Sequence, residues 1–302
     1  MDEPLRSLTP EEVAAYDEDG VVHAKGLFPG QWLEKMEKAV DRLTESPSFY
    51  GNIVSMKDQD FSGDLFLWKL DDDFRDWVYD SPAALVAQQL LRSPTVRHFY
   101  DQLFIKPVGC HVATPWHHDV TFWPVHVTCR AFCSIWISFD DVQPEASGLE
   151  FVRGSHRWPH FYKAVTPNYD PYMLDSDFED PPDVDGNRDD YDLFSPEIAR
   201  GDCLIFNAHI LHGSTGNYST DKPRRAFSTR WFGEGVTLEE RRATMPLLWE
   251  HGLEEGDPLT GPLFPQVLPK LLAGEAPRRT GPPEPPEPSR LALVAEKIAS
   301  RR

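Results

Sequence analysis

The chain has 302 residues, 40% of them hydrophobic and 12% aromatic, and a net charge of −19. That is enough apolar material for a real core, so global disorder is excluded, and the acidic balance argues against nucleic acid or an anionic membrane as the main partner. No apolar stretch approaches the roughly 20 residues of a membrane span, and the acidic start MDEPLRSLTPEE is unlike a signal peptide. The expected setting is the cytoplasm and the expected partner a small molecule, with nothing in the sequence that sets the oligomeric state.

In chain order, Thr9, Pro10 and Glu12 form a capping box that opens a helix, and Gly20 suits its exit. VVHAKGLF reads as a short strand. A second helix over about 30–46 carries Trp32, Met36, Ala39, Val40 and Leu43 on one stripe, and a third begins at Ser81-Pro82. From about residue 99 to 235 the texture changes to short β-rich runs: HFYDQLFIKP, RAFCSIWISFDDV, LEFVRGSH, CLIFNAHILHG and RAFSTRWFG. Many short strands with helices gathered at one end predict a mainly β fold with flanking helices around a jelly roll, the double-stranded β-helix of cupins.

Residues 166–200 form an acidic insertion, which reads either as a solvated loop or as a lid over a pocket. Thr237 and Glu240 form a second capping box, predicting a helix after the last strand. The expected layout is one domain over 1–256, with a helical layer over 1–98, followed by a Pro-rich arm over 257–302. The cysteines Cys110, Cys129, Cys133 and Cys203 include no CxxC pair. Cys129 and Cys133 share one face of a strand-like run, and all four read as reduced core thiols.

The chemistry gathers at PWHHDVTFW. On a strand, positions i and i+2 point the same way, so the His117 imidazole and the Asp119 carboxylate converge. His212 lies far along, in AHILHGS. Two histidines and one carboxylate make the facial triad of non-haem iron(II) oxygenases, which leaves positions open for co-substrate and dioxygen. His118 falls on the opposite face. His209 has the wrong parity relative to His212 and suits packing or support, His156 ends a strand at a turn, and His126 and His160 are candidate polar groups of a pocket. Phe104, Trp116, Phe122 and Trp123 are candidates to line a substrate pocket, against core packing for at least half of them.

Further motifs follow in order: KDQDF at 57–61, QLFIKP at 102–107, WHHD at 116–119, GLEFVRGSH at 148–156, GDCLIF at 201–206, HGSTGNYS at 212–219 and RRAFSTRW at 224–231. With them the sequence resembles the phytanoyl-CoA dioxygenase family of iron(II)/2-oxoglutarate oxygenases over roughly residues 5–235. The resemblance implies iron ligands His117, Asp119 and His212, with Arg224 holding the distal carboxylate of 2-oxoglutarate. It places Lys57, Gln102 and Trp136 at positions that line the same co-substrate. Arg224 stands one residue further from His212 than the family usually has it, so the adjacent Arg225 is its rival.

The activity implied is hydroxylation of a small molecule by dioxygen, with release of succinate and carbon dioxide and with ascorbate as activator. Halogenation is disfavoured, because related halogenases have Gly or Ala where this chain has Asp119. The alternatives are an acyl-CoA hydroxylase and a non-catalytic sensor that binds 2-oxoglutarate or metal on the same fold. The acids of the insertion would repel acyl-CoA and favour neutral or cationic substrates.

Overall fold

The computed structural model describes residues 1–48, 51, 55–56, 60–167, 171–247 and 249–270. Helix α1 (Pro10–Asp19) starts at the expected capping box: Thr9 Oγ1 accepts from Glu12 N at 3.2 Å, and Glu12 Oε2 accepts from Thr9 N at 2.8 Å. It ends at Gly20, whose φ of +82° is left-handed, and a Cβ there would stand 2.4 Å from His156 Nδ1. Strand β1 (Val21–Ala24) and helix α2 (Gly30–Glu45) follow, the latter burying Trp32, Leu33, Met36, Ala39 and Val40.

After β2 (Ser62–Leu65), the short helix α3 (Leu67–Leu70) is capped from another element: buried Asp101 accepts from the backbone N–H of Leu67 at 2.7 Å and of Trp68 at 2.9 Å. Helices α4 (Asp72–Asp80) and α5 (Ala83–Leu91) complete the helical layer. The core strands are β3 (Val96–Lys106), β4 (Thr114–His117), β5 (Phe132–Ser138), β6 (Leu149–Val152), β7 (Leu193–Phe194), β8 (Cys203–Phe206), β9 (His212–Ser214), β10 (Arg224–Phe232) and β11 (Gln266–Leu268).

They form two sheets. The major sheet runs β1-β8-β5-β10-β3-β11, with β2 also on β3, and the minor sheet runs β4-β9-β6-β7. This is the double-stranded β-helix expected from the sequence. One face of the major sheet packs on the helices, as Phe227 does on Phe74 and Trp77 at ring separations of 5.0 and 6.0 Å. The register of β10 on β3 pairs Arg224 with Lys106, Ala226 with Phe104 and Ser228 with Gln102, and its register on β5 pairs Ser228 with Trp136. Period-two alternation turns this row to the other face, away from the helices.

Three expectations are corrected. No helix opens at Thr237: this residue bridges Pro258, and Leu238 bridges Val125, so extended pairing takes the place of the cap. The domain does not end at 256: Leu259, Leu263, Phe264 and Val267 are buried and β11 pairs with β3, while residues 271–302 lie outside the described residues. Cys129 sits in a turn rather than on a strand with Cys133, its N–H donating to His126 O at 2.9 Å. All four cysteines are free. Among the described residues no helix is long and apolar enough to cross a membrane.

Candidate metal centre

His117 closes β4 and His212 opens β9, and the two are register partners across the minor sheet, with ring centroids 4.2 Å apart. Asp119 does not continue the strand. It begins a 3-10 turn, Asp119–Phe122, and the change of direction brings its carboxylate back to the imidazoles. Asp119 Oδ1 lies 3.6 Å from His117 Nε2 and 3.9 Å from His212 Nε2. The three side chains are buried, and one ligand atom of each lies within 4.8 Å of the others. Among the described residues no other group of three His, Cys, Asp or Glu converges in this way.

The far side of each ring fixes its tautomer. His117 Nδ1 lies 2.7 Å from Pro115 O, and His212 Nδ1 lies 3.0 Å from Ile210 O. A carbonyl oxygen only accepts, so Nδ1 carries a proton on both rings and Nε2 is the nitrogen turned inward. Burial and the neighbouring His117 pull the pKa of His212 down to about 4, which keeps it neutral at physiological pH. Burial alone would raise the Asp119 carboxyl, but Arg230 and the two imidazoles outweigh it and hold it well below the usual carboxylate range. A neutral His212 imidazole, a second imidazole from His117 and one ionised carboxylate fit a divalent first-row metal.

Arg230 went unnoticed in the sequence. Its Nε lies 3.8 Å from Asp119 Oδ2, its Nη2 donates to Gln102 Oε1 at 3.0 Å, and its guanidinium lies 4.4 Å over the Tyr100 ring. An arginine six positions along the same strand as Arg224 was the available signal; a bulge between Thr229 and Trp231 lies on the β3 side of that strand.

At the other end of the same face, Arg224 is 2% exposed, with its guanidinium 6.0 Å from both the Phe104 and the Trp136 rings. Its Nη2 donates to Ser147 Oγ at 3.2 Å, and its buried Nε has no partner. Burial pulls its pKa down to about 10, so it remains a cation at neutral pH. Arg225 points outward, where Asp140 accepts from it at 2.8 and 3.1 Å and Asp41 at 2.7 Å. Lys57 lies outside the described residues.

The aromatic candidates separate. Phe122 stands edge-on to His117 at 5.2 Å. Trp123 is core, packed on Phe99 and Phe132, with its Nε1 donating to Tyr100 Oη at 2.9 Å. Trp116 faces away from the metal centre, because strand alternation opposes it to His117. It packs with Val152, Val184 and Leu211, and its Nε1 donates to Asp185 Oδ1 at 3.0 Å. Part of the acidic insertion therefore covers the outer face of the minor sheet.

Of the remaining histidines, His118 is buried without a hydrogen bond and packs on Tyr162. His209 bonds Val127 O and Asn207, and His156 lies 3.2 Å from Asp17 O. His126 pairs with Thr128 and His160 with Glu179.

A model of the phytanoyl-CoA dioxygenase (PhyH) family matches residues 16–226. Among solved structures, the epimerase SnoN of nogalamycin biosynthesis, in complex with Fe3+, alpha ketoglutarate and nogalamycin RO, superposes with a TM-score of 0.68. It is 22% identical over 85% of this chain and 97% of its own. The carbocyclase SnoK, also of nogalamycin biosynthesis, gives 0.68 at 20% identity, covering 86% and 96%. EctD from S. alaskensis, with 2-oxoglutarate and 5-hydroxyectoine, gives 0.61 at 19% identity, covering 81% and 85%. At these identities the likeness is one of fold.

Proposed function

The chain belongs to the phytanoyl-CoA dioxygenase family and is a 2-oxoglutarate-dependent oxygenase, and from that premise we propose that it hydroxylates a small metabolite that is not a coenzyme A thioester. The observation that carries the reading is the convergence of His117, Asp119 and His212 at one end of an inward face that has Arg224 at the other. These three residues would hold iron(II), and Arg224 the distal carboxylate of 2-oxoglutarate. Iron(II), dioxygen and 2-oxoglutarate together supply oxidation of a substrate C–H bond, with release of succinate and carbon dioxide.

The chain's own part is binding, orientation and exclusion of water. The carbonyls of Pro115 and Ile210 hold the two imidazoles in one tautomer and one rotation. Arg230 keeps the Asp119 carboxylate charged and restrained, and Gln102 restrains Arg230 in turn. Trp136 and Phe104 flank the Arg224 guanidinium, so a carboxylate entering there meets a desolvated cation, where an ion pair is stronger than in water. Phe122, edge-on to His117, would touch a substrate held beside that ring.

The substrate half of the proposal rests on charge. Asp175, Asp177, Glu179, Asp180, Asp183, Asp185, Asp189 and Asp190 of the insertion are all exposed. They disfavour a polyanion such as acyl-CoA over a neutral or cationic molecule. The small-molecule ligands nogalamycin RO and 5-hydroxyectoine in proteins of the same fold support this choice. A succinate-release screen over a metabolite library, with iron(II), ascorbate and dioxygen, tests it: the reading expects stimulation by a neutral or cationic compound, and turnover of a CoA thioester with the free acid inert would contradict it.

A further inference from the structure

The inward face has a second cation with no role assigned above. Lys106 is the direct register partner of Arg224 across β3 and β10, so the two long basic side chains leave the sheet side by side. Neither is open to solvent: Lys106 is 0% exposed and Arg224 2%. Like charges directly opposite on a sheet repel, and burial removes the water that would screen them. Among the described residues no carboxylate forms an ion pair with either. Asp140, the acid that acts on Arg224 through space, is occupied by Arg225.

The polar groups around the pair link it into one site. Lys106 Nζ donates to Ser214 Oγ at 3.0 Å and to Thr215 O at 2.9 Å. Ser147 Oγ donates to the same Thr215 O at 3.0 Å and accepts from Arg224 Nη2 at 3.2 Å. Nζ has three donors when charged and two when neutral, so the two neutral acceptors already satisfy the neutral amine. Arg224 Nε is buried without a partner. A buried guanidinium with an orphaned donor, beside a buried amine that can gain a proton, is built for an anion that arrives from outside.

Resting on the reading that Arg224 receives the distal carboxylate of 2-oxoglutarate, we infer that Lys106 is the second cation of that carboxylate's pocket and is charged only when the co-substrate is bound. Burial and the adjacent Arg224 pull the Lys106 pKa down to about 6, so the amine is mostly neutral in the empty protein at neutral pH. The charged group facing it is Arg224 of β10, and Cys110, in the connection between β3 and β4, is the other titratable group acting on it; Ser214 of β9 is neutral. A carboxylate placed between Lys106 and Arg224 reverses the balance. The amine takes a proton from solvent, and the third donor of the ammonium then has an acceptor. Affinity for the co-substrate consequently falls as pH rises above neutrality.

Calorimetric titration of the Mn(II)-loaded protein without dioxygen, in buffers of different ionisation enthalpy near neutral pH, tests this. The ligands are 2-oxoglutarate and 2-oxobutyrate, which share the 2-oxo acid head and differ in the distal carboxylate. Binding of 2-oxoglutarate is expected to take up roughly one proton more than binding of 2-oxobutyrate. Lys106→Met is expected to abolish that difference and weaken 2-oxoglutarate about tenfold, while leaving 2-oxobutyrate unchanged. Equal proton uptake for the two ligands on the unaltered protein would overturn the inference whatever the variant does, as would a Lys106→Met loss common to both. Failure of the unaltered protein to bind 2-oxoglutarate at all would remove the parent reading, and the inference with it.

Discussion

Arg230 Nε lies 3.8 Å from Asp119 Oδ2, close enough for its charge to act on the carboxylate and too far for a firm hydrogen bond. The guanidinium restrains Asp119 without competing for the oxygen that faces the imidazoles. Arg230→Met is therefore expected to cost 10- to 100-fold in metal affinity or turnover, the usual range for partners of metal ligands. Arg230→Lys, which keeps the charge and loses the fork to Gln102, should recover part of it. Mn(II) titration checks this, and an unchanged dissociation constant and rate in Arg230→Met would remove Arg230 from the site.

Arg224 and Arg225 are neighbours with opposite fates, one facing the interior and the other bridging Asp140 and Asp41. Arg224→Ala should raise the 2-oxoglutarate requirement at least about tenfold, because a charge-assisted pair is worth about 1.5–3 kcal/mol. Arg225→Ala should leave that requirement nearly unchanged and lower thermal stability instead. The reverse ordering would move the anchor by one residue.

Lys106 gives the unliganded protein a definite pH dependence. Its folded pKa lies near 6 and its ordinary value is 10.5, so between these limits the unfolded chain binds more protons. Stability from this group therefore rises with pH across the window, and its full cost is felt below about pH 6. Lys106→Met should melt above the unaltered protein at the acid end, by about 2 °C or more, with the gap closing toward the alkaline end. Melting scans across that range without ligand decide it; a gap that widens with pH would contradict the assignment.

Val184 packs on the minor sheet, Leu193 belongs to its edge strand β7, and Asp185 accepts from Trp116, which makes this half of the insertion a fixed cover. Trp116→Phe keeps the ring and removes the donor. Hydrogen exchange over residues 184–194 is expected to quicken severalfold, with turnover within about twofold of normal. Strong protection of the same segment on adding substrate to the unaltered protein would instead mark it as a moving lid.

Much of this was legible beforehand because it depends on local rules. The Thr9–Glu12 box, the α2 stripe and the strand runs each encode their own geometry, and the alternation of a strand was enough to set Arg224 against Arg225. What escaped depends on contacts between distant segments. The Thr237–Glu240 box satisfies the rule for a helix start, but pairing with Val125 and Pro258 outweighs it. Trp116 and Trp123 flank the metal-binding run in sequence and yet serve the outer cover and the core. Arg230 and Lys106 gain their meaning only from what stands across the sheet from them, which no spacing along the chain reveals.

The central claim is that His117, Asp119 and His212 together hold iron(II) and present it to 2-oxoglutarate. Titration of the protein with iron(II) and 2-oxoglutarate without dioxygen tests it most directly, because a chelated 2-oxo acid gives iron(II) a visible charge-transfer absorption whatever the substrate is. The account predicts that this band appears at one equivalent of each, is lost in His117→Ala, Asp119→Ala and His212→Ala, and decays with succinate formation when dioxygen is admitted. Absence of the band from the unaltered protein, or its persistence in any of the three variants, would contradict it.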